Sequence, residues 1–485
     1  MKTPILMALL CCVLVAKGLA QVSPNPVPAA NVNGVTVGGG WVEATDRQVV
    51  RTAGNQVYVV VSDDNACNAT RSPGSGVIHV YKGSGAQAAN PNVPTAFSEV
   101  DASHHPTSAG RGSCIFTGGT SNLLFAPDIR LDNNGIIHAA YIDPNATNNG
   151  KLYYQTFDTN TDLWGTRVQV APGAQTNVGG GWPRGSHAVL VLDSNGIPYI
   201  AFASGGTSNS VRWVARTASG GTAWLGAATI PGSTGTDQFQ PSMVTALDGT
   251  IHLTWCNNCL AAHPTIRYAK FSSGAWGPVE TVSSGDTNVL GDADHDQIPA
   301  VATDLSSRPH VLYLDGTANG PDNSVRMRSR TSDGTWTDNT PPGTAGPSNP
   351  NGTWYCHTPQ NYISSNNDIY VFLGHDRNIS PGPYQYQFGG VGNNWSAVNQ
   401  LDPRNQTNTT AGDPGLDGSA SIRFDPLRDN NPSIIDVIYY DESDGTPGYA
   451  HHATVYYKAF GYVFVESHDL IGYAHQPVLF CEPGR

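Results

Sequence analysis

The sequence predicts an all-β protein, a seven-bladed β-propeller of four-stranded antiparallel blades, with an eight-bladed ring as the alternative. Three observations carry that prediction. One strand pattern recurs as VYVVVSD, IHAAYID, PYIAFAS, IHLTWCN, PHVLYLD, IYVFLGH and IDVIYYD. A second pattern follows each copy, and five of these lead through a turn to a tryptophan: Trp164, Trp224, Trp276, Trp336 and Trp395. Third, 54 Gly, 34 Pro and a charged fraction of only 13% describe many turns between apolar strands, not helices or a disordered chain.

Taken from the start, residues 1–20 carry an early Lys, a long apolar run and small residues before Gln21, as a secretory leader does. Cleavage after Ala20 would remove Lys2 and Lys17 and take the net charge from −13 to −15. So acidic a chain disfavours nucleic acid and anionic membranes as partners, and no other apolar run approaches membrane-spanning length. Residues 21–36 read as a flexible N-terminal segment, and residues 37–485 as a single propeller domain.

Within the domain, the recurring strand places Tyr58, His138, Tyr199, His252, His310, Tyr370 and Asp436 at equivalent positions. Alternation with large apolar residues marks a strand covered on both faces. A further strand, often opening on Pro, precedes most copies, as in APDIRLD, QPSMVTALD and IPAVATD. With the Trp-bearing strand, each unit has four. The late segment HQPVLF, 475–480, is either one more opening strand or the closure of the ring.

Six cysteines remain after the leader, and an even number in an exported chain favours disulfides. The expected pairs are Cys67–Cys114, Cys256–Cys259 and Cys356–Cys481. The lone CNNC lacks the second Cys pair or His pair of a zinc site, so it reads as a local staple. Seven Asn-x-Ser/Thr sequons matter only in a host that glycosylates.

In a propeller, the loops feeding the innermost strands and those leaving the second strands meet on one face. The first group carries Trp41, Trp182, Trp354, Tyr355, Arg184, His187, His295 and His357; the second carries Asp143, Asp315, His375, Asp376 and Asp441. Aromatic rings on Gly-rich loops suit stacking against sugars, or fill gaps between blades. Imidazoles and carboxylates at a rim suit acid–base work, or cap strand ends. The stretch GDADHDQIPA puts Asp292, Asp294 and Asp296 at alternate positions, like the start of a Ca2+ loop. Gln297 stands where the turn glycine belongs and Thr303 where the closing glutamate belongs, so a solvated acidic turn is the competing reading.

The segment SDGTW, Ser332 to Trp336, with weaker forms at SSGAW and TDLW, resembles the Asp-box, or BNR repeat, of the sialidase-like propellers. The resemblance is architectural and spans nearly the whole mature chain. It implies an exported propeller that acts on or binds extracellular glycan, in a group that includes hydrolases, lyases and non-catalytic binders. A sialidase of that group would need an Arg-Ile-Pro and a cluster of central arginines; the first is absent and the second is not evident. A polysaccharide lyase fits more easily, with His187 or His357 as base, Arg184 beside the substrate carboxylate and His295 as a further candidate. The alternative is a lectin-like or protein-interaction propeller using Trp41, Trp182 and Trp354.

Overall fold

The computed structural model describes residues 26–28, 35–39, 47–63, 77–87, 91–100, 127–143, 150–174, 188–205, 209–235, 237–259, 264–283, 299–316, 323–340, 356–363, 367–375, 384–390, 399–400, 420–422, 425–428, 434–441 and 454–462. Strands are the only regular elements among them, and they assemble into seven antiparallel sheets in chain order. Sheet one runs Val49–Arg51, Val57–Asp63, Val77–Ser84 and Ala96–Glu99, each strand bonded to the next. Sheets two to six repeat this up-and-down order.

The sheets form a closed circle. Their first strands, Val49–Arg51, Asp128–Leu131, Ala188–Leu192, Phe239–Thr245, Ala300–Thr303, Cys356–Ile363 and Ala420–Ile422, touch one another in sequence. Strand Ile434–Asp441 of sheet seven then meets Val49–Arg51 of sheet one. Neighbouring first strands lie side by side in the same direction: the Ile129 amide donates to Arg47 O at 2.7 Å, Leu190 N to Asp128 Oδ2 at 2.6 Å and Val301 N to Ser242 Oγ at 3.2 Å.

Sheet seven also takes strands from early in the chain. Part of the segment expected to be flexible is strand: Pro26–Pro28 pairs with Phe460–Tyr462, and Val35–Gly39 with Thr454–Tyr457. Together they form the outer edge of sheet seven, so an early and a late segment of the chain share one sheet. HQPVLF lies outside the described residues.

Apolar cores lie between sheets. Tyr58, Val60, Ile78 and Val80 of sheet one interlock with Ile129, Ile137, Ala139 and Phe157 of sheet two, all essentially without solvent contact. This two-sided burial is why the second strands read as nearly continuous apolar runs. The hairpin tryptophans join the same cores from outside. Trp224 meets the Tyr154 ring of sheet two edge-on at 4.9 Å, Trp276 meets Trp213 of sheet three at 6.1 Å, and Trp336 meets Tyr268 of sheet four at 5.1 Å. Gly334, with φ of 91°, turns the chain into Trp336 through a conformation that costs glycine little.

Candidate functional site

Register fixes which end of the ring can carry chemistry. In each sheet the first strand begins where the second ends: Cys356 pairs with His375 and His357 with Gly374. Asp143, His375 and Asp441 close their second strands at this end, and Asp315 stands one residue from the end of Pro309–Gly316. Five residues chosen from the sequence, Asp143, Asp315, His357, His375 and Asp441, therefore share one face of the ring. Trp41, Trp182, Arg184, His187, Asp292, Asp294, Asp296, His295, Trp354, Tyr355 and Asp376 lie outside the described residues.

Asp143 is nearly buried and already engaged. Arg167 Nη2 donates to its carboxylate at 2.7 Å, while the guanidinium lies 3.6 Å from the Tyr153 ring centre and 5.4 Å from that of Tyr141. Tyr141 donates to Gln155 Oε1 at 2.8 Å, and burial pushes its phenol well above the usual range. Asp143 thus pairs with an arginine that lies over the Tyr153 ring.

The same end of sheet four carries a group that no residue choice from the sequence included. Asp237 precedes the strand Phe239–Thr245, with φ of 57°, and Gln240 has φ of 55°. Such values are uncommon outside glycine and are held here by the surroundings. Gln238 receives the indole N–H of buried Trp255 at 2.8 Å and donates to Asn257 Oδ1 at 2.7 Å; Asn257 in turn donates to Thr265 Oγ1 at 2.9 Å. Cys259 N donates to Asp237 O at 3.0 Å, and the Cys256–Cys259 disulfide, expected from the CNNC spacing, ties that loop to the sheet. Burial raises the Asp237 carboxyl above its ordinary pKa. Cys67, Cys114 and Cys481 fall outside the described residues, as does the side chain of Cys356.

Toward the axis, Asp128 is a buried hub, accepting from Arg47 N, Leu190 N and Arg130 Nη1, each at 2.6 Å. The Arg47 side chain leaves sheet one and reaches Val301 O of sheet five at 3.4 Å, spanning the ring. At the opposite end one arginine links two sheets across the ring. Arg428, in the turn of sheet seven, donates to Leu192 O at 2.9 Å and to Asp193 O of sheet three. There too His138 and His252 are buried against the hydroxyls of Tyr154 and Tyr268, each at 2.6 Å, and His310 against Ser329 Oγ at 2.7 Å. These repeated histidines fasten turns, away from the candidate face. Among the described residues no group of three or more His, Cys, Asp or Glu could hold a metal, and no helix is long and apolar enough to cross a membrane.

With this geometry in hand, the chain can be compared with known proteins. No protein-family model matches it, and no curated relative matches it. Solved structures do. A polysaccharide lyase of family PL25, an ulvan lyase, superposes with a TM-score of 0.50 at 10% identity, covering 88% of this chain and 95% of that one. An α-L-arabinanase of Penicillium chrysogenum, complexed with arabinobiose, gives 0.42 at 8% identity over 74% of this chain and 98% of its own. An α-L-arabinofuranosidase of Fusarium graminearum gives 0.41 at 13% identity over 69% and 91%. At such identities the likeness is one of fold, and the ulvan lyase carries it.

Proposed function

We propose that this protein is an exported propeller that acts on extracellular polysaccharide, as a lyase or a glycoside hydrolase. The observation that carries the reading is the shared fold with an ulvan lyase over 88% of the chain, combined with His357, His375 and three aspartates at one end of the ring. Lyase chemistry asks for a base at the sugar C5 proton and a cation beside the uronate carboxylate; His187 or His357 and Arg184 are the residues proposed for those tasks. The leader at residues 1–20 supports export. The hairpin at Thr331–Trp336, where Thr335 N donates to Asp333 Oδ1 at 3.1 Å, supports kinship with the Asp-box propellers.

The test is turnover on two soluble polymers, ulvan and arabinan, followed by reducing-end release and by absorbance of unsaturated uronate. Wild-type turnover that collapses in His187→Ala and His357→Ala supports the assignment. Unchanged turnover in both variants overturns those two residues. Retention of the wild type on a polymer with no product released points instead to a binding module, with Trp41, Trp182 and Trp354 as its contacts.

A further inference from the structure

The described register aligns the pairs between first and second strands across the sheets. Val244 pairs with His252, Ala302 with His310, Val191 with Tyr199 and Tyr362 with Tyr370. By sequence spacing, Asp237 stands seven residues before Val244, as Arg184 stands before Val191, His295 before Ala302 and Tyr355 before Tyr362, and Gln240 stands four before Val244, as His187 does before Val191. Sheets four and six also share a register shift, between Phe239 and Ser242 and between His357 and Gln360. Such bulges re-aim side chains next to functional sites. The sheet-four opening is thus a member of the set from which the candidate site is drawn.

Two further features set this corner apart. Gln240 is only 3% exposed, and its Oε1 has no hydrogen-bond partner among the described residues. A buried acceptor left unmatched is destabilising, and a hydroxyl brought to it by a ligand recovers the loss. Asp237 is partly exposed, in a left-handed conformation pinned by the Cys259 amide, and its carboxyl sits in a poorly solvated setting. A carboxyl and a carboxamide three residues apart on a stapled, strained turn provide hydrogen-bonding groups that saccharide hydroxyls match.

We infer that Asp237 and Gln240 form a saccharide subsite, in which the Asp237 carboxyl and the Gln240 amide accept hydrogen bonds from sugar hydroxyls. The inference rests on the carbohydrate reading of the same face and adds sheet four to it. The Gln238–Trp255–Asn257 network and the Cys256–Cys259 bond act as positioning groups beneath it.

The test is affinity electrophoresis of the full chain in gels containing ulvan or arabinan, comparing wild type with Asp237→Asn and Gln240→Asn. Asparagine tolerates the left-handed backbone at both positions, so each variant keeps the turn; Asp237→Asn weakens a charged acceptor to a neutral one, and Gln240→Asn draws the amide oxygen back by one methylene. Retardation of the wild type and an about tenfold weaker apparent affinity in each folded variant is the expected result, the scale of one lost hydrogen bond to a charged or buried group. Should Asp237→Asn fail to fold, Gln240→Asn decides alone, and if both fail, KM for wild-type turnover against that of Gln240→Glu decides. Wild-type retardation unchanged in a folded variant overturns the subsite and spares the broader reading. A wild type that engages neither polymer overturns both.

Discussion

Arg51 and Asp436 stand 385 residues apart in sequence and 2.5 Å apart in space, both fully buried where sheet one meets sheet seven. The contact is a two-pronged one, with Arg51 Nε also donating to Asp436 Oδ2 at 2.9 Å. Tyr457 donates to the same carboxylate at 2.6 Å, and Arg51 Nη1 to Asn92 O at 2.6 Å. Every other junction in the ring joins sheets adjacent in sequence. This one must be found by the chain ends, and a buried fork of fixed geometry specifies it better than apolar contact alone.

Removing one member of that pair should therefore cost more than a typical core truncation. Arg51→Met leaves the Asp436 carboxylate buried without its cation, and the expected loss is about 3–5 kcal/mol. Replacing both, with Arg51→Met and Asp436→Leu, should restore most of it. Urea unfolding midpoints of the two variants check this; equal losses would show that the pair is not what holds the junction.

The second prediction concerns the hairpin tryptophans. Trp336 N–H donates to Glu280 Oε2 at 2.9 Å while Arg330 grips both oxygens of that carboxylate, at 3.0 and 2.9 Å. The indole thus joins sheets four and five by a ring contact and a hydrogen bond together. Trp336→Ala should destabilise by about 3 kcal/mol, the low end for so large a side chain because it is only half buried. Trp336→Phe, which keeps the ring contact with Tyr268, should lose less than half as much in the same measurement.

What could be read from the sequence follows from which constraints are local. The second strands announced themselves because both faces are buried, which forces apolar residues at every position from Val57 to Val61. The face holding Asp143, His357, His375 and Asp441 followed from strand order alone. The ends were different. Pro26–Pro28 reads as loop, since Pro lacks a ladder donor, yet an outer edge tolerates it. The Arg51–Asp436 contact leaves no mark in either neighbourhood. Asp237 and Gln240 were missed because DQFQP, 237–241, contains no His, Arg or Trp; matching its proline to Pro299 and Pro359 would have found them. Likewise, nothing near Asp143 in sequence announces that Arg167 already occupies it.

The disulfide offers a third prediction. Cys256 and Cys259 close a loop of sequence separation 3, so removing the bond frees little chain entropy, about 2 kcal/mol on the loop-closure relation. The double replacement Cys256→Ser with Cys259→Ser should lower the unfolding midpoint modestly. Because the bond lies beneath Asp237, it should weaken saccharide affinity beyond what stability accounts for. Melting and affinity electrophoresis on the same sample separate the two effects.

The last prediction is a pH dependence built into the buried histidines. Burial drives the His252 pKa down to about 3, with the Asp248 carboxylate pulling the other way, and burial lowers that of His138 as well. An unfolded histidine titrates near about 6.5. Between these values the unfolded chain binds protons that the folded chain refuses, so stability rises with pH across that window. The contribution is complete above about 6.5 and is lost as the pH falls toward about 3. Asp132 acts lower down: burial tends to raise its pKa, but the His138 ring at 3.6 Å and hydrogen bonds from Ile136 N and Asn134 N outweigh it and bring the value from 3.8 to about 2. Acid loss that begins below about pH 6.5 therefore belongs to the histidines and not to this carboxylate. In His252→Gln the midpoint at neutral pH should fall, because Tyr268 and Thr250 lose an imidazole that meets them at 2.6 and 2.9 Å. Its further decline between about pH 7 and about pH 5 should nevertheless be shallower than that of the wild type. Thermal melts of both proteins across that range measure the two slopes, and equal slopes would mean that His252 titrates in the folded protein as it does in the unfolded chain.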